Sequence, residues 1–184
     1  MDKLPLDWTD IKGMTARIAR DIAITNWRPD YVVGLTRGGL IPAVLLSHYF
    51  NVPMHTLKVT LRDGDEADCE SNLWMAEEAF GCVPEELQET YKSRWDPALR
   101  KNILVVDDIN DSGATIAWIK KDWASGIYAE EQAWDTVWGN NVKFAVLVEN
   151  LSSKESTDFN AHEVNKAEHN VWIDFAWEDW WEKE

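Results

Sequence analysis

The segment at residues 103–115, ILVVDDINDSGAT, constrains the fold of this chain more than any other part of the sequence. It opens with four apolar residues, a run that is typical of a short buried strand. Asp107 and Asp108 follow, then a turn of small residues, and beyond Thr115 apolar side chains recur roughly at helical spacing. The order strand, loop, helix places the loop at the carboxyl end of a strand, where α/β proteins bind their ligands.

The residue types in this loop suit a sugar phosphate. Backbone N–H groups of such a loop and of the following helix N-terminus bind phosphate, and Gly113 lets the backbone approach a ligand closely. Asp107 and Asp108 are able to accept hydrogen bonds from a diol or to hold a divalent cation. The same residues also fit an ordinary βα turn that carries a solvated pair of Asp side chains.

A second segment repeats the order strand, loop, helix. Residues 31–35, YVVGL, form an apolar run, and an apolar helix is predicted from Leu40 to about Phe50. Between them stand Thr36, Arg37, Gly38 and Gly39. The two glycines leave room for a phosphate against the backbone, with a guanidinium beside it. Taken alone, this triplet of Arg and two glycines is at least as typical of a plain turn.

The remaining chain alternates strands with helices. We predict a helix at 7–26 with Thr9 as its N-cap, strands at 54–61, 142–148 and 171–177, and a polar stretch at 149–170 with a short helix at 160–167. This alternation predicts an α/β domain with a mostly parallel central sheet flanked by helices. The length of 184 residues suits a single domain, 1–184.

Residues 62–97 are predicted to form a long excursion between two sheet strands of this domain. A mobile cover over an active site is one interpretation, and a solvated helical insertion is the other. Arg62, Lys92 and Arg94 are the cations that a cover would bring to the site.

Composition bears on partners and compartment. A net charge of −15 disfavours binding to nucleic acid and to anionic membranes, and no apolar run is long enough to span a bilayer. The N-terminus lacks the pattern of a secretory signal. Cys69 and Cys82 have no His or Cys neighbours that would make a zinc site, so they are expected to be free thiols. We therefore expect a cytoplasmic protein without nucleic-acid or membrane partners.

The segment at 103–115 resembles the phosphoribosyl-pyrophosphate (PRPP) signature of type I phosphoribosyltransferases. Together with WTDIKGMTARIA, VVGLTRGGLIPAVLLSHYFNVP and VWIDFAWE, in one order, it looks like the corresponding segments of bacterial xanthine-guanine and hypoxanthine phosphoribosyltransferases. The excursion does not match. The resemblance implies the type I fold with a small hood built from the chain ends, Mg²⁺ as cofactor, and a homo-oligomer, either a dimer or a tetramer.

The resemblance also implies an activity and a set of contacts to PRPP. The activity is transfer of the 5-phosphoribosyl group from PRPP to hypoxanthine, guanine or xanthine, giving a nucleoside monophosphate and pyrophosphate in purine salvage. Arg37 and Gly38 would contact the pyrophosphate, and Asp107 and Asp108 would hold the ribose hydroxyls, with Asp108 nearest the metal. The cradle for the 5′-phosphate would consist of Ser112, Gly113, Ala114 and Thr115.

Asp111 is the position that distinguishes substrates within the resemblance. Enzymes for hypoxanthine, guanine or xanthine carry Asp there, whereas adenine and uracil enzymes usually carry Ala and the pyrimidine-operon regulators carry Tyr. A carboxylate there could accept or lend the purine N7 proton as the glycosidic bond forms, which would make Asp111 catalytic. The alternative is that Asp111 is a local cap of the loop and of the following helix.

Three further residues concern the base. Trp172 and Ile173 match the segment that closes over the base, where an indole is suited to stack on a purine; the alternative for Trp172 is a core position on a strand. The family places a Lys after the strand at 142–148 to contact the purine 6-oxo group, and this chain has Asn150 there. Asn still donates a hydrogen bond to a carbonyl, but the charge is lost. Lys143 begins that strand and is too far back to substitute.

Two other functions therefore stay open. One is a phosphoribosyltransferase for another base, which the departure at Asn150 allows. The other is a regulator that binds PRPP or a nucleotide without turnover. The intact acid pair, phosphate loop and Arg-Gly-Gly loop speak against the regulator, because a decayed enzyme need keep none of them.

Overall fold

The computed structural model describes residues 2–61, 69–127 and 131–182 of the chain. Its longer elements, in chain order, are β1 (Asp2–Leu6), α1 (Trp8–Ala23), β2 (Tyr31–Thr36), α2 (Leu40–Phe50), β3 (Met54–Lys58), α3 (Leu73–Phe80), β4 (Ile103–Asn110), α4 (Ala114–Gly126), β5 (Val142–Asn150), β6 (Phe159–Val164) and β7 (Val171–Phe175). Within these ranges, no helix has both the length and the apolar character needed to cross a bilayer.

Five strands form the central sheet, in the order β3, β2, β4, β5, β6, and every neighbouring pair is parallel. The carboxyl ends of all five strands therefore lie along one edge. β2 and β4 are central neighbours, with Gly34 opposite Val106, and Asn110 at the end of β4 lies opposite Glu149 of β5. The predicted α/β class with a mostly parallel sheet is confirmed.

The sheet is covered on both faces, as expected for parallel strands. Successive residues of β4 alternate between two buried clusters: Ile103 and Val105 pack with α3 and α4, and Leu104 and Val106 pack with α1 and α2. Strand β4 is therefore apolar without interruption until Asp107. The change from apolar to acidic residues marks the point where the strand leaves the core and reaches the open edge.

The chain ends form a separate two-stranded sheet. β1 and β7 pair in parallel, from Asp2 opposite Val171 to Leu6 opposite Phe175. Ile173 and Phe175 are buried in the cluster that also contains residues of α1. This small sheet corresponds to the predicted hood built from the chain ends, although β1 itself had no clear signal in the sequence.

Two local predictions were wrong. The N-cap of α1 is Asp7 rather than Thr9, because Asp7 and Asp10 exchange hydrogen bonds in a capping box. Residues 160–167 do not form a helix, since Phe159–Val164 is strand β6 at the edge of the sheet. Only Ala161 of β6 is buried, so the strand keeps a polar sequence that resembles a loop.

Within the described part of the excursion, residues 69–97, helix α3 belongs to the core, whereas residues 84–90 are exposed. Met75, Ala76, Ala79 and Phe80 of α3 are buried in the same cluster as Val105. Residues 85–92 contain a 3₁₀ turn at Glu85–Leu87 and no α-helix. Arg62 lies outside the described residues, whereas Lys92 and Arg94 are exposed. A cover over the site stays a prediction.

Candidate active site

The two glycine-containing loops meet at the carboxyl edge of the sheet. A Cβ atom built on Gly38 would overlap the Asp108 carboxylate, and one on Gly39 would overlap the carbonyl oxygen of Val106. Neither glycine has a positive φ, so the requirement for glycine comes from close approach rather than from backbone conformation. The loop after β2 is therefore seated directly on the acidic end of β4.

The acid pair is held by its own backbone. The Asp108 N–H donates to the Asp107 carboxylate at 3.0 Å, and the Ile109 N–H donates to the Asp108 carboxylate at 2.9 Å. Asp108 is 9% exposed, and its carboxylate lies toward Gly38. Charge-assisted hydrogen bonds of this kind orient a carboxylate before any ligand arrives. The structure thus brings Gly38 to the Asp108 carboxylate, with Arg37 and Asp107 as their chain neighbours. The contacts of these four residues with a ligand stay predictions.

The loop after β4 presents the start of a helix to solvent. Gly113 has a φ of 84° and is the residue before α4. The hydroxyl of Ser112 accepts from the Ala114 N–H at 3.3 Å, and both of these residues are exposed. The first N–H groups of a helix lack partners within the helix and bind anions. The residues proposed to hold a phosphate, Ser112 to Thr115, therefore lie at a helix N-terminus beside the acid pair.

A buried polar network lies behind this loop. The Asn110 amide donates to the Glu149 carboxylate at 2.8 Å and to the Glu155 carbonyl at 2.6 Å, and the Ser153 hydroxyl donates to the Asn110 oxygen at 3.1 Å. The Thr157 hydroxyl donates to the other Glu149 oxygen at 2.5 Å. Asn110 and Glu149 are each 5% exposed. Sequence reasoning missed this network, and its only local signal is a Glu directly after an apolar strand.

Asn150 also supports the loop. Its amide nitrogen donates to the Asp111 carbonyl oxygen at 2.7 Å and lies 3.4 Å from the Asp111 carboxylate. Its amide oxygen accepts from the Ser152 hydroxyl at 2.8 Å and from the Lys166 N–H at 3.0 Å. With 5% exposure, this side chain is already engaged within the protein. Its contact with a base stays a prediction, and its observed partners are Asp111, Ser152 and the start of the segment between β6 and β7.

The Asp111 carboxylate pairs with an ammonium group that the sequence did not indicate. Lys166 Nζ lies 3.0 Å from Asp111 Oδ1, and the side chains are 17% and 55% exposed, respectively. Gly113, not Asp111, is the N-cap of α4, so the alternative of a helix cap does not describe Asp111. Lys166 follows β6 in a polar stretch, and nothing in its local sequence distinguishes it from an ordinary surface lysine.

The residues proposed to close over the base differ in exposure. Trp172 is 44% exposed, whereas Ile173 is 4% exposed and packs in the core. The alternative of a core Trp therefore does not hold for Trp172, whose indole is open to a ligand. A base contact by Ile173 would have to come from its backbone. Both contacts stay predictions.

The acid pair fits Mg²⁺ in the way that a substrate-bound metal requires. Among the residues that the structure describes, no group of three or more His, Cys, Asp or Glu side chains forms a metal site. Mg²⁺, however, is usually held by one or two carboxylates together with substrate phosphates. Asp108, with Asp107 beside it, supplies carboxylates next to the loop proposed for the pyrophosphate.

Comparison with known structures agrees with this fold. A purine phosphoribosyltransferase from Pyrococcus horikoshii superposes with a TM-score of 0.64 at 22% identity, over 97% of this chain and 96% of the other. A xanthine-guanine-hypoxanthine phosphoribosyltransferase from Helicobacter pylori gives a TM-score of 0.64 at 17% identity, over 97% and 95%. At these identities the likeness concerns the fold alone.

Sequence comparison assigns the family. Xanthine phosphoribosyltransferase 1 of Saccharomyces cerevisiae is 22% identical over 147 residues, covering 71% of this chain. The match spans 64% of the yeast protein. The model of the phosphoribosyl transferase domain family matches residues 6–180, nearly the whole chain. The chain therefore belongs to the phosphoribosyl transferase domain family.

Proposed function

We propose that the protein transfers the 5-phosphoribosyl group from PRPP to hypoxanthine, guanine or xanthine and releases pyrophosphate. The observation that carries this proposal is the meeting of the two loops, where Gly38 lies against the Asp108 carboxylate. The loop after β4 continues from Asp108 to the N-terminus of α4, and helix N-termini commonly bind phosphate. Anion sites on both sides of a diol-binding acid pair match PRPP, which carries a phosphate and a pyrophosphate on one ribose. The yeast and Pyrococcus relatives, a xanthine and a purine phosphoribosyltransferase, support the same class of reaction.

Each part of PRPP has a proposed site. The 5′-phosphate accepts hydrogen bonds from N–H groups of residues 112–115 and from the Ser112 hydroxyl. The ribose hydroxyls donate to the carboxylates of Asp107 and Asp108. The pyrophosphate lies against the backbone of Gly38 with the Arg37 guanidinium beside it. Mg²⁺ held at Asp108, with Asp107 beside it, would neutralise charge on the pyrophosphate as it leaves.

The chemical step exchanges one bond at C1′ of the ribose for another. The bond from C1′ to the pyrophosphate oxygen breaks, the bond from C1′ to N9 of the base forms, and the proton on N7 of the base passes to the Asp111 carboxylate. Positive charge develops on the ribose ring, and Asp107 and Asp108 provide nearby negative charge. The exposed indole of Trp172 would stack on the base. Exclusion of water by this stack limits hydrolysis of PRPP.

A panel of bases tests the substrate class. The purified protein is incubated with PRPP, Mg²⁺ and a single base, and the nucleotide formed is measured. We expect turnover with at least one of hypoxanthine, guanine and xanthine. Turnover with adenine or a pyrimidine alone would contradict the assignment, and PRPP binding without any turnover would favour the regulator.

The variant Asp111→Asn tests the role of Asp111 in the same assay. General acid–base catalysis typically contributes about 10²- to 10⁴-fold to a rate, so kcat with the best base should fall by about that range. KM for PRPP should stay within about threefold, because the amide keeps the shape of the side chain and leaves the PRPP contacts in place. Unchanged kcat would show that Asp111 is not the base.

The assembly and compartment complete the proposal. We place the reaction in the cytoplasm and expect a homo-oligomer, a dimer or a tetramer. Helix α2 exposes Val44, Leu45 and Tyr49 to solvent, and exposed apolar patches commonly mark protein contacts. Cys69 and Cys82 are both free thiols, which is compatible with a reducing compartment.

A further inference from the structure

Four tryptophans lie together where the start of α1 meets the end of β7. The side chains of Trp8, Trp180 and Trp181 are 55%, 63% and 61% exposed. The Trp8 and Trp177 rings pack with their centroids 6.3 Å apart, and Trp177 stacks on Phe175 at 4.7 Å. The Trp180 and Trp181 rings, a little further along the chain, meet edge to face at 6.2 Å. The hood tryptophans are Trp8, Trp177, Trp180 and Trp181.

These rings are separate from the residue proposed to stack on the base. Trp172 lies near the start of β7, whereas Phe175 ends that strand. A strand rises about 3.3 Å per residue, so about 10 Å of strand lies between them. Phe175 is 2% exposed, which anchors the stacked Trp177 to the core. Exposed indoles on an anchored base are typical of protein interfaces, where Trp is enriched among the residues that contribute most to affinity.

Acidic residues flank the hood tryptophans. Four of them are exposed: Asp7, Asp10, Asp179 and Glu182. The backbone N–H groups of Asp7 and Asp10 each donate to the carboxylate of the other residue, at 2.9 and 2.8 Å, which fixes both carboxylates at the start of α1. Residues 171–182 contain no Lys or Arg, and Lys3 and Lys12 are the nearest cations to Trp8 in the sequence. Four carboxylates against two cations leave the surface acidic.

The charge decides which partner fits this surface. Nucleic acids and anionic membranes carry phosphates, which an acidic surface repels. A second copy of the chain would bring the same acidic residues and a net charge of −15 to the contact. A cationic partner gains from both features, because a cation is attracted to carboxylates and to the face of an indole. Arginine suits them best, since its planar guanidinium stacks on aromatic rings and also pairs with carboxylates.

We propose that the hood tryptophans and their flanking carboxylates form a docking surface for an arginine-rich segment of a partner protein. Guanidinium groups of that segment stack on Trp180 and Trp181 and pair with Asp179 and Glu182. Burial of the exposed indoles adds apolar contact to the charge attraction. The surface lies outside the site proposed for PRPP, so this inference goes beyond the proposed function and does not depend on it.

Binding of a fluorescein-labelled hexa-arginine peptide, measured by fluorescence anisotropy in about 0.15 M NaCl, tests the role of the indoles. A cation–π contact at an exposed site corresponds to about a two- to fivefold gain in affinity, so Trp180→Ala combined with Trp181→Ala should raise the Kd by about tenfold. Trp74→Ala is the matched control, because Trp74 is 42% exposed and belongs to α3, outside the hood. Its Kd should stay within about twofold of the wild-type value.

Two charge variants separate the flanking carboxylates from the net charge of the protein. One combines Asp179→Asn with Glu182→Gln. The other combines Glu85→Gln with Glu86→Gln, at exposed positions of a 3₁₀ turn outside the hood. Asp179 has a φ of 47°, which Asn also adopts, so the first variant tests the surface even if the loss of two indoles disturbs folding. It should raise the Kd by about fivefold, and the second should leave it within about twofold.

Several outcomes would overturn the proposal. Equal effects of the two charge variants would show that net charge alone attracts the peptide, and an unchanged Kd without Trp180 and Trp181 would show that the indoles do not bind it. Binding to phosphatidylcholine vesicles that requires these indoles, with no binding of hexa-arginine, would assign the surface to a membrane. A changed oligomeric state of the same variant in sedimentation would assign it to a second copy. None of these outcomes bears on the proposed phosphoribosyl transfer.

Discussion

The two ligand loops of the site are held in place by opposite means. The loop after β2 rests on the end of β4 through Gly38 and Gly39, whose missing side chains allow backbone to meet backbone and carboxylate. The loop after β4 is supported from behind by buried polar side chains, chiefly Asn110 and Glu149. The position of the loop after β2 therefore depends on glycines that have no side chains. The position of the loop after β4 depends on buried side chains that are hydrogen-bonded to one another.

This difference has consequences for how each loop responds to substitution. A loop fixed by close approach is disturbed by added atoms and has no side-chain bond to lose. A loop fixed by a buried network is disturbed by any change that leaves a polar or charged group without its partner. The same substitution strategy should therefore have different effects at the two loops.

Asn110→Asp should have the largest effect, because it would place a second carboxylate against Glu149, where the amide donor now lies at 2.8 Å. An uncompensated buried charge destabilises a protein by about 3–5 kcal/mol. The free energy of unfolding, measured by urea denaturation at pH 7, should fall by about that amount.

The control for this variant is the same substitution at an exposed site. Asn140 is exposed, and its amide donates to the Thr136 carbonyl oxygen at 3.1 Å. Asn140→Asp should change the free energy of unfolding by no more than about 0.5 kcal/mol. Equal losses of stability in the two variants would show that the loop after β4 does not depend on the buried network. The proposed difference between the two loops would then be contradicted.

Gly39→Ala should have the next largest effect. We expect it to lower activity more than stability. The new Cβ would overlap the Val106 carbonyl oxygen and lie 2.8 Å from the Leu35 carbonyl oxygen, so the loop would have to move away from β4. A displacement of about 1 Å in a substrate-positioning group costs about 100-fold in rate. We expect kcat/KM for PRPP to fall by about that factor in steady-state assays.

Gly13→Ala is the matched control for Gly39→Ala. Gly13 is an exposed residue of α1, and a Cβ there meets no atom within 4 Å. Since Ala is favoured over Gly in a helix by about 1 kcal/mol, this variant should be at least as stable as the wild type and fully active. Wild-type activity in Gly39→Ala would mean that close approach does not position the first loop.

Asp158→Asn should have the smallest effect on stability, and this effect should depend on pH. Asp158 belongs to the segment after β5 that backs the second loop, and its carboxylate accepts from the Phe144 N–H at 2.8 Å. Desolvation by the surrounding protein raises the pKa of this carboxyl above its ordinary value. A raised folded-state pKa means that the ionised form costs stability above that pKa, and the cost disappears as pH falls through it.

The substitution removes this cost and keeps an acceptor for the Phe144 N–H. Asp158→Asn should therefore be the more stable protein at pH 7, by less than about 1 kcal/mol, because the residue is exposed and water screens the charge. The advantage should shrink as pH is lowered toward about 4, as measured by denaturation of both proteins across that range. An advantage that is independent of pH would show that burial of charge is not its cause.

Both strand–loop–helix units were predictable from sequence because their signals are local. The apolar run before Asp107, the glycines after Arg37 and the helical spacing after Thr115 each lie within a few residues of the structure that they specify. β6 was not predictable in this way. It is an edge strand with one buried residue, and its pairing with β5 depends on a neighbour that its own sequence does not show.

By itself, the sequence determined the α/β class, the positions of the two loops and the residue types that could hold a sugar phosphate. It did so because periodicity, glycine chemistry and the order of elements are properties of adjacent residues. Only the tertiary structure decided which side chains support those loops. Asn110 with Glu149, Asn150 with Asp111, and Lys166 with Asp111 are pairs from different strands and segments. Parallel pairing of the strands brings these residues to one edge of the sheet, and their spacing along the chain does not predict that they are in contact.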